Sequence, residues 1–168
     1  LLTRRGVTPS RFAARGIEID RFEVYADGLG NEAAEIESCR QVLAGEGRVR
    51  FYQARGPQEI TRVFSALEEQ QQIDRLMRLC KLNDRSQRAF YERLALDGSD
   101  AGLCCLFALE VDGLIIATLL GIRHDDMFSV LQMTTAGPAW ADVSPAKLIL
   151  FEALRALSAR GVMRFDLG

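Results

Sequence analysis

Apolar positions along the chain change period near residue 100, and the change separates a mainly helical half from a sheet-forming half. In the first half Asn31 can cap a helix in which Ile36, Cys39 and Leu43 recur at helical spacing up to Gly45 and Gly47. Residues 48–54 alternate, with Val49, Phe51 and Ala54 on one side, and read as a strand. Gly56-Pro57 breaks that strand and opens a helix. Its Ile60, Val63, Phe64 and Leu67 form an i, i+3, i+4, i+7 set that Ile73, Leu76, Met77 and Cys80 repeat. The glutamines at 70, 71 and 72 read as a polar helix face. Asn83 or Asp84 restarts the chain into a helix carrying Phe90, Tyr91 and Leu94, which Asp97-Gly98 stops.

The second half reads as strands. Residues 103–111 and 114–122 are apolar runs too continuous for a half-exposed sheet, and Asp112-Gly113 between them is a two-residue hairpin signal, so both are predicted as central antiparallel strands. A turn at His124-Asp125-Asp126 leads into 127–135 and completes a three-strand meander. Ser144-Pro145 starts a helix, with Ser as N-cap and Pro at its first position. Leu150, Ala153, Leu154 and Leu157 form the buried stripe, while Glu152 and Arg155 are placed in water. Gly161 closes it, and 162–167 forms a last strand parallel to the third meander strand, because a helical crossover joins the two. The predicted order is β-α-α-β-β-β-α-β, an α/β fold with a mixed, mostly antiparallel sheet flanked by helices. Two neighbouring strands joined through a helix can part at one end and leave a slot for a thin ligand.

Composition narrows the classes. A chain of 168 residues, 48% of them hydrophobic, can cover both faces of one sheet. Its 21 basic and 23 acidic residues give a net charge of -2, and the scattered arginines make no basic face for nucleic acid. The longest apolar run, 114–122, is of strand length, so no membrane segment is expected. The start, Leu1-Leu2-Thr3-Arg4-Arg5, has neither an initiator Met nor the pattern of a signal peptide. It suggests a piece cut from a longer protein, with 1–30 the tail of a preceding segment and 31–168 the core. Cysteines at 39, 80, 104 and 105 form no C-x-x-C pair and His124 is the single histidine. They read as reduced core thiols of a cytoplasmic protein, and no metal is expected.

Three places could carry chemistry. The helix at Ser144 presents orphan N–H groups and a positive dipole end, and Lys147 in its first turn favours an anion such as phosphate; the same residues also describe an ordinary capped helix. Residues 136–141 form a loop in which Gly137 permits close approach and Trp140, the single tryptophan, either lines an acyl or acceptor pocket or covers the sheet edge. Asp166, near the end of the last strand, either accepts a proton from an amine or is a solvated strand end. His124 reads as a turn residue, and Glu110 and Asp112 as the polar boundary of the hairpin. No dinucleotide fingerprint, P-loop, nucleophile elbow or zinc-binding histidine pair is present.

Three stretches carry a family resemblance: L-E-V-D-G-L-I-I-A at 109–117, S-P-A-K-L-I at 144–149 and R-G-V-M-R-F-D-L-G at 160–168. Together with the region from about residue 30 they resemble the GNAT-like acetyltransferases associated with bacterial cellulose and exopolysaccharide biosynthesis, the CelD type, which stand near the FemAB-like transferases. Ala146 replaces the family's usual Gly, Leu167 stands at the middle of its D-F-G, and the R/Q-x-x-G-x-G/A pyrophosphate signature is absent. The resemblance implies an acyl-CoA N-acyltransferase fold with acetyl-CoA or another acyl-CoA as co-substrate and a small-molecule amine as acceptor. A backbone N–H among Met133, Thr134 and Thr135 would stabilise the oxyanion, and the amides of Ala146, Lys147 and Leu148, after Ser144, would meet the pyrophosphate. Asp166 or a water would act as base, without a metal. It also implies closing elements beyond residue 168. A FemAB-like aminoacyl-tRNA-dependent transferase, which would need a basic surface for tRNA, and a non-catalytic module of the same fold are the other readings.

Overall fold

The computed structural model describes residues 16–78 and 85–167. In chain order the elements are β1 (Gly16–Glu18), α1 (Phe22–Gly28), α2 (Asn31–Glu46), β2 (Val49–Gln53), α3 (Gly56–Arg78), α4 (Arg85–Asp100), β3 (Cys104–Val111), β4 (Leu114–His124), β5 (Met127–Thr135), a 3-10 helix (Pro138–Val143), α5 (Pro145–Ser158) and β6 (Arg164–Asp166). Cys80 and the helix start expected at Asn83 or Asp84 lie outside the described residues.

The two apolar runs form the centre of the sheet. Every residue of β3 is buried, as are Ile115 to Gly121 of β4, because helices cover both faces. Their turn has positive φ at Asp112 and Gly113, 47° and 88°, as a type I′ turn requires. The sheet order is β1-β6-β5-β4-β3-β2, antiparallel throughout except for the parallel β5–β6 pair. The α/β class, the three-strand meander and the parallel last strand are therefore as predicted.

One core lies under α2 and α5 and contains Leu43, Phe107, Leu119, Phe128, Leu154 and Phe165. The other lies under α3 and α4 and contains Ile60, Phe64, Leu67, Leu106 and Leu120. Residues 16–30, read in the sequence as a tail, contribute β1 to the sheet edge, the buried Ile19 to the first core and a Phe22–Phe151 ring contact at 5.2 Å.

Several local expectations are corrected. Asn31 begins α2 but does not cap it: Gly30, at φ 53°, is the N-cap, and no side chain bonds there. Ala54 belongs to the second core beside Tyr52, because strand alternation sets it opposite Val49 and Phe51. α4 runs through Asp97-Gly98 to Asp100, and its Phe90 is exposed. A Cβ on Gly98 would lie 2.9 Å from the Cys104 Cβ, so this glycine serves close packing rather than helix termination. Glu152 is buried, not solvated: Arg40 of α2 donates to it at 2.7 Å and Arg155 lies against its other oxygen. Glu110 is buried too, bonded by Arg62 at 2.7 Å and by the Tyr52 hydroxyl at 3.2 Å.

Candidate active site

β6 meets the first part of β5. β6 pairs with β5 only along Met127 to Ser129, opposite Arg164 to Asp166. Beyond Ser129, β5 runs on to Thr135 with no strand partner on that side among the described residues. Where the pairing stops, the β4–β5 register also slips: Gly121 faces Val130 and Leu120 faces Gln132, so Leu131 is an extra, bulged residue. Gly121 makes this possible, because a Cβ there would collide with the Phe128 ring and lie 2.7 Å from the Ser129 carbonyl. A lone glycine inside an apolar strand run was the signal in the sequence that could have located the bulge.

Main-chain direction follows from one bond. The Ala136 N–H donates to the Ile116 carbonyl at 2.9 Å. Antiparallel ladders alternate, so Thr134 directs its main-chain groups to β4 while Met133 and Thr135 direct theirs to the opposite side, the side on which β6 lies. Of the three residues expected to offer an amide, Thr134 is thus excluded by its pairing. Its side chain has a different duty: the hydroxyl donates to Gln70 Oε1 at 2.8 Å and lies 2.6 Å from the Thr118 hydroxyl.

Gln70 corrects the reading of the glutamine cluster as a polar helix face. It is buried, with its Oε1 facing both threonines and its Nε2 donating to the Ile115 carbonyl at 2.9 Å. Gln71, the next residue, donates to Gln132 Oε1 at 2.6 Å.

Past β5 the chain turns at Gly137, φ 85°, into the 3-10 helix that carries Trp140. Trp140 packs partly on the first core and also lines a cleft of about 390 Å³ between α3 and the β3–β4 turn, shared with Arg62, Glu69, Leu114 and Ala136. Ser144 stands at the N-cap of α5 in a left-handed conformation, φ 53° and ψ 52°, and its hydroxyl makes no cap bond. That conformation swings the side chain out of the capping geometry expected for it. Pro145 has no N–H, and the Lys147 N–H donates to the Ser144 carbonyl at 3.0 Å, so within residues 145–147 the Ala146 amide is left for a ligand. The Lys147 ammonium is paired with Glu35 of α2, which raises its pKa, so its charge is already answered. Leu148 is buried in the first core.

Asp166 ends β6 opposite Ser129, half-buried, on the sheet face opposite Phe165 and hence on the α3 side. It therefore sits beside the bulge, while Met133, Thr135, Trp140 and Ala146 follow toward the carboxyl end of β5. His124 is exposed against Asp125 at the far end of the meander. Cys39, Cys104 and Cys105 are free and buried. No helix among the described residues is long and apolar enough to cross a membrane, and no three of their His, Cys, Asp or Glu side chains cluster as metal ligands would.

An open mixed sheet with helices on both faces, an antiparallel meander, and a helix after its third strand that returns the chain to pair in parallel with that strand are features of the Gcn5-related N-acetyltransferase fold. The chain belongs to this family: the family described as acetyltransferase (GNAT) domain matches residues 31–168. Among solved structures it is similar to FemX, with TM-score 0.67 and 10% identity over 91% of this chain and 52% of that one. It is also similar to L-PGS from Bacillus licheniformis, with TM-score 0.55 and 14% identity over 91% and 43%. The PaiA N-acetyltransferase of Thermoplasma acidophilum, solved in complex with coenzyme A, gives TM-score 0.50 and 9% identity over 68% and 75%. The chain spans about half the length of the first two. No curated protein matches it.

Proposed function

We propose that this chain is an N-acyltransferase that moves an acyl group, acetyl in the simplest case, from acyl-CoA to the amine of a small molecule. The match of residues 31–168 to the acetyltransferase (GNAT) domain family carries this reading. An extended pantetheine arm bears amides that can pair, as an added strand would, with the main-chain groups that Met133 and Thr135 direct away from β4. α5 begins at the carboxyl end of β5, so the phosphate end of the donor points there, with the Ala146 amide in reach. The thioester end then points back along β5 to the Leu131 bulge, beside Asp166. This arrangement moves the oxyanion donor from Met133–Thr135 to the bulge and sets Asp166 where it can take the amine proton. The residues fit the arm of the donor better than its pyrophosphate, because the cation of Lys147 is held by Glu35. The Thermoplasma relative, solved with coenzyme A, supports the donor class. A cytoplasmic setting and a CelD-type place in polysaccharide biosynthesis belong to the same proposal.

The likeness to FemX supports a second reading, a FemAB-like transferase whose donor is an aminoacyl-tRNA. Calorimetric titration with acetyl-CoA and coenzyme A separates the two. Saturable binding that Thr135→Pro weakens about tenfold, the order of one lost hydrogen bond to a ligand, supports the acyl-CoA reading. Thr135 gives no N–H to β4, so the proline leaves the sheet paired. Absence of binding by the parent chain at millimolar ligand moves the assignment to the tRNA-dependent or non-catalytic reading.

A further inference from the structure

We propose that Gln70 and Gln71 form a clamp on the bulged half of β5, and that Gln70 is a positioning residue for the acyl-donor edge; this rests on the reading of that edge given above. Two register irregularities bound the clamped stretch of sheet. In β4, Ile115 faces Glu110 while Ala117 faces Leu109, leaving Ile116 extra; in β5, Leu131 is extra. Each bulge frees a strand to bend, and the segment between them holds Met133 and Thr135. Gln70 reaches into this segment from α3.

The shorter distances favour one of the two proton arrangements that its bonds allow. Each threonine hydroxyl has a single proton, so the 2.6 Å contact between Thr118 and Thr134 takes one, and Thr134, at 2.8 Å, passes its own to Gln70 Oε1. The longer Thr118–Gln70 approach, 3.2 Å, is then the secondary contact. The amide nitrogen is committed to the Ile115 carbonyl next to the β4 bulge. Gln70 therefore ties both bulged strands to one helix, and Gln71 adds a second tie to Gln132, immediately after the β5 bulge.

Apolar side chains would fill this layer at least as well. They would not distinguish one register of β5 from another, whereas a directional network does. Thr134 lies between Met133 and Thr135, so fixing its side chain to α3 fixes the direction in which its two neighbours present their main-chain groups to the edge.

The test uses Gln70→Leu and the triple variant Gln70→Leu, Thr118→Val, Thr134→Val. The triple variant removes the polar partners together and keeps the layer filled, which avoids orphaned hydroxyls and preserves folding. Acetyl-CoA affinity is measured by calorimetry on the folded fraction, and amide hydrogen exchange at Gln132 and Thr134 is compared with exchange in β2 and β3. A clamp predicts that both variants lose about tenfold in affinity and that exchange at Gln132 and Thr134 accelerates selectively. Parental affinity in the triple variant, or exchange that rises uniformly across the sheet, overturns it. If the parent chain itself binds no acetyl-CoA, the acyl-donor reading falls, and the exchange comparison alone decides the clamp: selective acceleration upholds it and uniform acceleration sinks it.

Discussion

Glu152 is a carboxylate with 7% of its side chain exposed, and its two arginines are far less buried than it is. Arg40 donates to Oε1, while Arg155 lies against Oε2 without the alignment of a hydrogen bond, so Oε2 counts as unsatisfied although a cation touches it. The energetic consequences of substitution are therefore unequal. Arg40→Met strands a buried charge on the misaligned partner and is expected to cost about 2–3 kcal/mol, somewhat less than complete loss of a buried pair. Glu152→Leu removes the buried charge itself and leaves two arginines that reach water; stability within about 1 kcal/mol of the parent is expected. Urea denaturation of the two variants checks the asymmetry, and equal losses would contradict it.

At the scale of elements, two glycines that look alike in the sequence behave oppositely. Gly45 lies in the last turn of α2 with open space where a Cβ would stand, so Gly45→Ala is expected to stabilise by about 0.5–1 kcal/mol through the helix alone. Gly121 lies where Phe128 and Ser129 cross β4, and Gly121→Ala is expected to destabilise by about 3 kcal/mol, because the ring has no room to withdraw from a filled core. Thermal melts of both variants read the opposite signs. The same contrast shows what was legible in advance. Strands 103–111, 114–122 and 127–135 and the Ser144 helix were readable because their periods and turn residues are local. The β1 edge and the burial of Gln70 and Glu110 depend on partners 45 or more residues away, as the Gln70–Ile115 and Glu110–Arg62 bonds illustrate, and no local period records them; the β5 bulge is a local slip against β4 whose one trace in the sequence was Gly121. Near the candidate site the loop after β5 and the helix start at Pro145 lie where Gly137 and Ser144-Pro145 led them to be expected. The left-handed Ser144 and the Lys147–Glu35 pair were hidden, since both depend on how α2 and the 3-10 helix pack.

For the molecule as a whole, the thiols set an alkaline limit. Burial and the neighbouring Cys105 push the Cys104 pKa from 9.0 to about 12, and burial raises Cys105 as well. Between those limits the folded chain keeps a proton that the unfolded chain has lost. Stability is therefore full below pH 9 and falls as pH rises, by up to about 1.4 kcal/mol per pH unit for each such thiol. Urea midpoints measured from pH 7 to 10.5 should decline less steeply for Cys104→Ala than for the parent; parallel curves would refute the assignment. The central β3–β4 hairpin has a further consequence, for synthesis in the cell. Its two strands precede α5, so a chain halted on the ribosome before residue 145 would show water the Phe107, Leu109 and Leu119 face that α5 later covers. Such a nascent chain is a natural client for a chaperone, and release of α5 from the exit tunnel is the event that lets this face be covered.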